Sequence, residues 1–506
     1  MREQRIGIID IGSNSIRLVI YERTTNGAHR VIEGSKRPAR LSGEIDAGGN
    51  LSVHAIDNLV DILRHFRLIC SHQHTYTIRA VATAAIRNAA NRDDILNRLD
   101  KEAGLRVELL SGKEEAEFGF LGMINSMDIE DGFLVDIGGG STEISLFRNR
   151  KLLRSVSFPF GCVNLARAFM DKGMMNDSSL QALELYVKEA FGQEPWIAEN
   201  EGLPLVAVGG TARAFGKIHQ AQHHYPFQQT HNYPIAKQSA DSLFSALRSL
   251  PLDKRKKFPG LSKDRVDLIV PGLAVLRLIL QGCKASEYII CGAGLRDGLF
   301  YTSRFTERPL LDDVLAYSVN NLCALHPEPP QQHISHVNVT AMMLFDTLSL
   351  RYPLPERSRS WMDAASMLFR IGASIDYYQY AKHSFYLIVN SHLNGLSHRE
   401  ILIVAAIASF RSKNKARQHL NDYKQLLESS DLELILRLGT LLQLAIALDR
   451  SEAQSLQRMR LEAVEDKLYI QPLLASDKLE VERKEVDALA DDFNKVWGFI
   501  PVLQSI

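Results

Sequence analysis

The sequence predicts an α/β protein of two duplicated lobes sharing a cleft, followed by an all-helical domain and a small α+β C-terminal domain. Three observations carry that reading. Asp10-Ile11-Gly12 recurs as Asp136-Ile137-Gly138, and Ser15 recurs as Ser141 at the same spacing, with apolar strand residues flanking both copies. After about residue 308 strand signals fade, and helical periodicity runs to about Asp449. From Arg458 the pattern turns to short strands and a helix. The expected boundaries are 1–125 and 126–307 for the lobes, 308–450 for the helical domain and 451–506 for the end piece. At roughly 150 residues per domain, a chain this long is too large for one core.

The elements follow in order. Gly7–Asp10 and Arg17–Tyr21 read as a hairpin around a Gly-Ser-Asn-Ser turn. Ser52 caps a helix whose Ile56, Leu59, Val60, Leu63 and Phe66 fall at helical spacing. Tyr76–Val81 reads as a strand and Asp94–Ala103 as a helix. Phe133–Asp136 and Ile144–Phe147 form a second hairpin around Gly-Gly-Gly-Ser, and glycine-rich breaks follow at Val208–Thr211 and Cys291–Gly294. Beyond residue 308, Pro327, Pro329-Pro330 and Pro353–Pro355 punctuate the helices, and Ile435–Asp449 reads as a buried helix. The end piece reads as strands at Leu468–Ile470, Leu479–Val481 and Phe499–Leu503 around a helix at Lys484–Phe493.

Composition narrows the function classes. Lys+Arg and Asp+Glu both number 59, so the chain is neutral overall, which argues against a broadly basic nucleic-acid binder. Cys70, Cys162, Cys283, Cys291 and Cys323 are scattered and never form Cys-x-x-Cys, so neither a disulfide framework nor a zinc site is expected. Met1–Asp10 lacks an apolar signal core, and the apolar run Leu268–Leu276 is interrupted by Pro271 and stopped by Arg277. The expectation is a soluble cytoplasmic protein with no membrane partner.

The loops suggest phosphate chemistry. In Asp10-Ile-Gly-Ser-Asn-Ser15 a carboxylate ends a strand, Gly12 permits a tight turn, and the following N–H groups can form a phosphate-sized nest. Asp136-Ile-Gly-Gly-Gly-Ser-Thr-Glu143 repeats the device, and Asp136 with Glu143 can hold a hard divalent cation beside the phosphate. Glu114, Glu115 and Glu117 precede an apolar helical run, Phe118–Met123. Such acids favour a helix dipole and sit in solvent, yet between two phosphate loops one can orient or deprotonate an attacking water. Arg87 can fork onto phosphate oxygens or form a surface salt bridge.

The motif order resembles the acetate kinase–sugar kinase–heat-shock–actin superfamily, with Val206–Thr211 in the place of its adenosine-type Gly-Gly loop. A more specific resemblance is to the exopolyphosphatase / guanosine pentaphosphate phosphohydrolase family. It is carried by Ile9–Ser15, Ala82–Arg87, Leu110–Ala116, Val135–Glu143, Arg265–Gly272 and Gly294–Gly298. The resemblance implies actin-like (ribonuclease H-like) lobes and a phosphoanhydride hydrolase that uses Mg²⁺, with Mn²⁺ as a substitute. It implies inorganic polyphosphate or guanosine pentaphosphate as substrate, no nucleic acid partner, and a homodimer.

Residue by residue, Glu115 matches the family glutamate that positions water, and Arg87 its phosphate-binding arginine. Gly12, Ser13, Asn14 and Ser15 match the first phosphate loop, and Gly138, Gly139, Gly140 and Ser141 the second. Gly209, Gly210 and Thr211 match the third loop, and Asp10, Asp136 and Glu143 the metal positions. Longer members add an HD-like helical domain, but here Phe369-Arg370 stand where a His-Asp pair would be, and Ser409-Phe410-Arg411 lacks the histidine often found there. His383 and Asp449-Arg450-Ser451 remain, so no second metal site is expected. Lys382, Arg399, Arg411, Lys413 and Lys415 are candidate phosphate-chain contacts or a solvated basic face.

Three functions compete: an exopolyphosphatase, a guanosine pentaphosphate 5′-phosphohydrolase, and an ATP-dependent kinase or actin-like nucleotide switch. Nothing in the string separates the first two. Glu115 in Ser-Gly-Lys-Glu-Glu-Ala116 favours a hydrolase over the third.

Overall fold

Alternating apolar and β-branched residues make Gln4–Ile11 (β1) and Ser15–Arg23 (β2) an antiparallel hairpin, and His29–Pro38 (β3) adds to its edge. The computed structural model describes residues 4–476 and 478–505 and divides into two compact units, Met1–Asp312 and Asp313–Ile506. In the first unit Thr77–Ala82 (β4) runs parallel to β1, and Val107–Leu109 (β5) parallel to β4, giving the order β3-β2-β1-β4-β5.

The second sheet repeats this plan. Gly132–Ile137 (β6), Thr142–Arg148 (β7) and Lys151–Phe158 (β8) form the antiparallel meander, and Leu205–Val208 (β9) lies parallel to β6. Tyr233–Ala236 (β10) and Glu287–Ile290 (β11) complete the order β10-β11-β9-β6-β7-β8. Only the antiparallel edge strand β10 has no counterpart in the first sheet. The match extends to register, because Asp10 pairs across its hairpin with Arg17 and Asp136 pairs with Glu143. Duplication therefore holds at the level of topology. The strand β3 had no sequence signal, since polar His29, Arg30, Glu33, Ser35 and Lys36 dominate an edge strand with little burial.

Each sheet carries its own core. Ser52 Oγ accepts the Ala55 N–H and starts the helix Val53–His72, which buries Ile56, Leu59, Val60, Leu63 and Phe66. In the second lobe the apolar run becomes the buried helix Ile269–Gly282. Pro271 does not break it, because it sits in the first turn, where its missing N–H has no intrahelical partner to lose. Among the described residues, no helix is long and apolar enough to cross a membrane.

Two helices of this unit, Gly112–Ile124 and Leu295–Arg304, cross backbone to backbone. A Cβ on Gly298 would sit 1.9 Å from Phe118 O, and one on Gly122 would sit 2.1 Å from Gly294 O. Only glycine permits that approach. Gly298→Ala is therefore expected to cost about 1–3 kcal/mol through overpacking, read as a lower Tm with unchanged far-UV circular dichroism.

The second unit opens with helices. Gln331–Ser349, Ser358–Leu368, His398–Ala408 and Asp431–Ala447 bury the apolar residues of the helical region. Here His333 Nδ1 lies 2.8 Å from Asp449 Oδ2, both side chains buried, with the Phe369 ring edge-on to His333 at 5.7 Å. His333 escaped sequence reading, having no neighbouring motif to mark it. Arg399 is tied to Asp431 at 2.6 Å and Glu428 at 3.1 Å, so its charge is matched within the protein.

The C-terminal sheet pairs Leu456–Val464 (β12) with Lys467–Ala475 (β13), and Ile500–Leu503 (β14) runs parallel to β13. The strand expected at Leu479–Val481 is instead the start of the helix Glu480–Trp497. Leu-Glu-Val alternates like a strand, but Glu480 and Glu482 favour the positive end of a helix, and Glu482 is buried accepting the Ser451 N–H. The strand β12 went unrecognised because its exposed positions carry Arg458, Arg460 and Glu462.

Candidate active site

The two Asp-Gly hairpin turns face one another. In each, a glycine N–H after the aspartate closes the turn on a serine carbonyl: Gly12 N to Ser15 O at 3.3 Å, and Gly138 N to Ser141 O at 2.9 Å. The loops lie close enough that a Cβ on Gly139 would be 3.0 Å from Ser13 Cβ. Between them is a narrow cleft of about 130 Å³, lined by Asp10, Gly12, Ser13, Asn14 and Ser15 from one lobe and by Asp136, Gly138, Gly139 and Ser141 from the other. Gly209 and Gly210 form a third wall. The positive φ of Gly209, 86°, turns β9 into the helix Gly209–Gln222, and a Cβ there would meet Asp136 Oδ1 at 2.4 Å. Gly140 and Thr211 do not line the cleft, and Thr211 is buried behind it.

The three acids of the helix Gly112–Ile124 have separate fates. Glu114 caps the helix, its carboxylate accepting the Ser111 N–H at 2.8 Å while Ser111 Oγ accepts the Glu114 N–H at 3.2 Å. Glu117 is exposed beside Lys113, 3.8 Å away. Glu115 alone lines the cleft. Its Oε2 accepts a hydrogen bond from Arg87 Nη1 at 3.0 Å, and the same guanidinium nitrogen donates to Leu110 O at 2.8 Å. Arg87 thus stands beside Glu115 and is not among the cleft-lining residues. Glu143 is also set back, buried and accepting from Ser157 Oγ at 2.7 Å.

Sequence reading missed the cations of the cleft. Arg17, Arg213, Arg265 and Arg296 all line it, facing the carboxylates of Asp10, Glu115, Asp136 and Asp297. Arg17 was discoverable as the cross-strand partner of Asp10, and Arg213 as the residue one turn after Gly209-Gly210. Arg265 and Arg296 come from segments distant in sequence, a single turn at Lys263–Arg265 and the start of the helix Leu295–Arg304. Arg296 Nε is 3.9 Å from Asp10 Oδ2, and a Cβ on Gly210 would overlap the Arg265 guanidinium, 1.7 Å from Nη2. The first turns of three helices, at Glu115, Gly209-Gly210 and Leu295-Arg296, also open on the cleft and add their positive ends.

Burial sets the protonation of this site. It pushes Glu115 up to about 7, with Arg87 opposing and the charges of Asp136 and Asp10 adding to the rise. It pushes Asp136 up to about 6 and raises Asp10, against the pull of the arginines. Glu143 rises as well, through burial and then the charge of Glu115. Arg17 is lowered to about 10 by burial and by its neighbouring arginines. An acid whose pKa is higher folded than unfolded holds an extra proton in between, so it costs stability as pH climbs through that window. Without divalent cations, Asp136→Asn is expected to gain stability over the unmodified protein between pH 4 and 7 (ordinary value 3.8, folded value about 6) and to match it below pH 4. Paired Tm measurements across that range check this. A constant difference would contradict it.

Two like lobes that close matching Asp-Gly hairpin turns around arginines and a carboxyl of raised pKa are those of an actin-like fold. The chain belongs to the Ppx/GppA phosphatase family: the family profile matches residues 19–307, and the profile of Ppx/GppA phosphatase domain III matches residues 318–485. Among solved structures it is similar to the Aquifex aeolicus member of the Ppx/GppA family, at 24% identity and TM-score 0.53, over 61% of this chain and 99% of that one. It is also similar to an exopolyphosphatase from Cytophaga hutchinsonii, at 23% identity and TM-score 0.56, over 61% of this chain and 100% of that one. These two likenesses concern the fold.

Proposed function

We propose that the protein hydrolyses the terminal phosphoanhydride bond of inorganic polyphosphate, with Glu115 as the group that orients and deprotonates the attacking water. The observation that carries this reading is Glu115 itself: a carboxylate in the cleft between two phosphate nests, with a pKa brought to about 7 and so matched to proton transfer near neutral pH. The terminal phosphate would rest on the N–H groups that follow Gly12 and Gly138 in the two turns. Arg17, Arg213, Arg265 and Arg296 would take up charge spreading over the equatorial oxygens of a loose transition state. Arg87 would hold Glu115 in place through their 3.0 Å hydrogen bond.

A divalent cation fits this donor set. Four arginines face four carboxylates across the cleft, so a bound Mg²⁺ or Mn²⁺ would supply the excess positive charge that a polyanion needs. Among the described residues no cluster of three His, Cys, Asp or Glu forms a closed metal cage. Asp10 and Asp136 would hold the ion together with substrate oxygens, as Mg²⁺ is commonly held. Glu143 would support Asp136 across the strand pair and not reach the ion. When bound, the metal would neutralise phosphate oxygens and favour departure of the shortened chain.

The test is phosphate release with Mg²⁺ from long-chain polyphosphate, guanosine pentaphosphate and ATP at matched terminal-phosphate concentration. Preference for polyphosphate supports the proposal. Preference for guanosine pentaphosphate moves the substrate to that nucleotide on the same residues, and turnover of ATP alone would favour a nucleotide switch.

A further inference from the structure

Outside the cleft, two ion pairs cross from one lobe to the other. Lys36 Nζ, on β3, lies 2.5 Å from Asp264 Oδ2, and Arg40 Nη1, just past β3, lies 3.2 Å from Asp267 Oδ2. Both acids belong to the second lobe, in the turn Lys263–Arg265 and the residues that lead into the helix Ile269–Gly282. All four side chains are partly exposed, between 38% and 56%.

Each pair is wired to the cleft at both ends. Lys36 stands directly across the strand pair from Arg17, a cleft residue, and directly opposed residues share a face of the sheet. Asp264 and Asp267 flank Arg265, which also lines the cleft. Arg40 is held by its backbone. Its φ of 47° and ψ of 36° are left-handed, a conformation that a residue with a side chain adopts only at a cost. The first phosphate loop keeps it there. Ala39 N–H and Arg40 N–H both donate to Asn14 O, at 3.1 and 3.0 Å, and Ser42 N–H donates to Ser13 O at 3.2 Å.

Exposed ion pairs are individually weak and are screened by salt. Two of them side by side bias the lobes together without locking them. Phosphate oxygens accept from the same Lys and Arg donors as carboxylates do, so a polyanion competes for both cations. We propose that Lys36–Asp264 and Arg40–Asp267 form an electrostatic latch between the lobes, which a polyphosphate chain opens by taking the two cations from their carboxylates. The choice of polyphosphate as the opening anion rests on the function proposed above.

Distances between spin labels on the full chain test this without turnover. Asn58→Cys in the helix Val53–His72 and Lys188→Cys in the helix Asp177–Gly192 put one exposed label on each lobe, and the natural cysteines are buried. Raising NaCl from about 20 mM to about 300 mM should shift the distance distribution, because the screening length falls about fourfold. Lys36→Gln with Arg40→Gly should show the shifted distribution already at low salt, with no further response, and glycine keeps the left-handed turn. Arg37→Gln removes a neighbouring charge that contacts His65 within its own lobe, and should leave the salt response intact. Lys36→Glu alone should shift the distribution, and adding Asp264→Lys should reverse that shift, which decides the matter if the first double variant does not fold. Long-chain polyphosphate at low salt, without divalent cations, should shift the intact protein and not the Lys36→Gln, Arg40→Gly variant.

A distribution indifferent to salt and to these variants would overturn the latch, and a salt response without a polyphosphate response would overturn its opening by that anion. Phosphate release measured in parallel separates the two proposals. Release by a protein whose lobes do not respond rejects the latch alone, and responding lobes without release reject the proposed function alone.

Discussion

Glu115→Gln is expected to lower the turnover number for phosphate release by about 10²–10⁴-fold while leaving the Michaelis constant and the fold nearly unchanged. Glutamine keeps the shape and can still accept from Arg87 Nη1, whose bond to Glu115 Oε2 is 3.0 Å, so the local packing survives. What is lost is the ability to accept a proton from water. Steady-state kinetics with the proposed substrate measures this. A turnover number close to that of the unmodified protein would remove Glu115 from the chemistry, and a raised Michaelis constant alone would make it a binding residue.

Arg87→Gln should change the pH profile more than the rate at its optimum. In the intact protein the guanidinium holds the Glu115 carboxyl down against burial and against the charges of Asp136 and Asp10. Without that cation the pKa of Glu115 rises above about 7, so a smaller fraction is deprotonated at neutral pH. The acid limb of kcat/KM should therefore move to higher pH at constant Mg²⁺ concentration. Each unit of displacement costs about tenfold at pH values below the limb. A uniform loss at every pH would show that Arg87 serves only packing, and rate loss with an unmoved limb would favour direct contact with phosphate.

The parts of this site that were legible in the sequence are those whose geometry is local. Asp10–Ser15 and Asp136–Ser141 fold as self-contained hairpin turns, so their spacing alone showed that two matching loops existed. The residue Glu115 was legible as one of three acids, but its separation from Glu114 and Glu117 depended on helix rotation: one acid caps, one faces solvent and one enters the cleft. The arginines left at most a faint local trace, Arg17 opposite Asp10 and Arg213 after Gly209-Gly210, for the opposite reason. Arg17, Arg213, Arg265 and Arg296 stand on a strand, a helix, a turn and a second helix, and only tertiary topology gathers them. Arg87 was assigned to phosphate because its position in the string matched a family pattern, whereas packing sets it beside Glu115. The same logic explains the fold errors. Edge strands such as β3 and β12 carry charge on their open face and so lack the apolar alternation that marks covered strands.

The contact between Gly122 and Gly298 has a mechanical meaning. Where helices touch through bare backbone, no side chain stands between them at that point, so a small rotation about the crossing displaces no side chain there. The Gly294 carbonyl belongs both to that crossing and to the cleft wall, which puts the fulcrum beside the floor of the site. In a lever, displacement grows with distance from the pivot. Rocking of one lobe on the other would therefore widen the rim while the floor stayed almost still, admitting and releasing a ligand without disturbing the residues that line the floor.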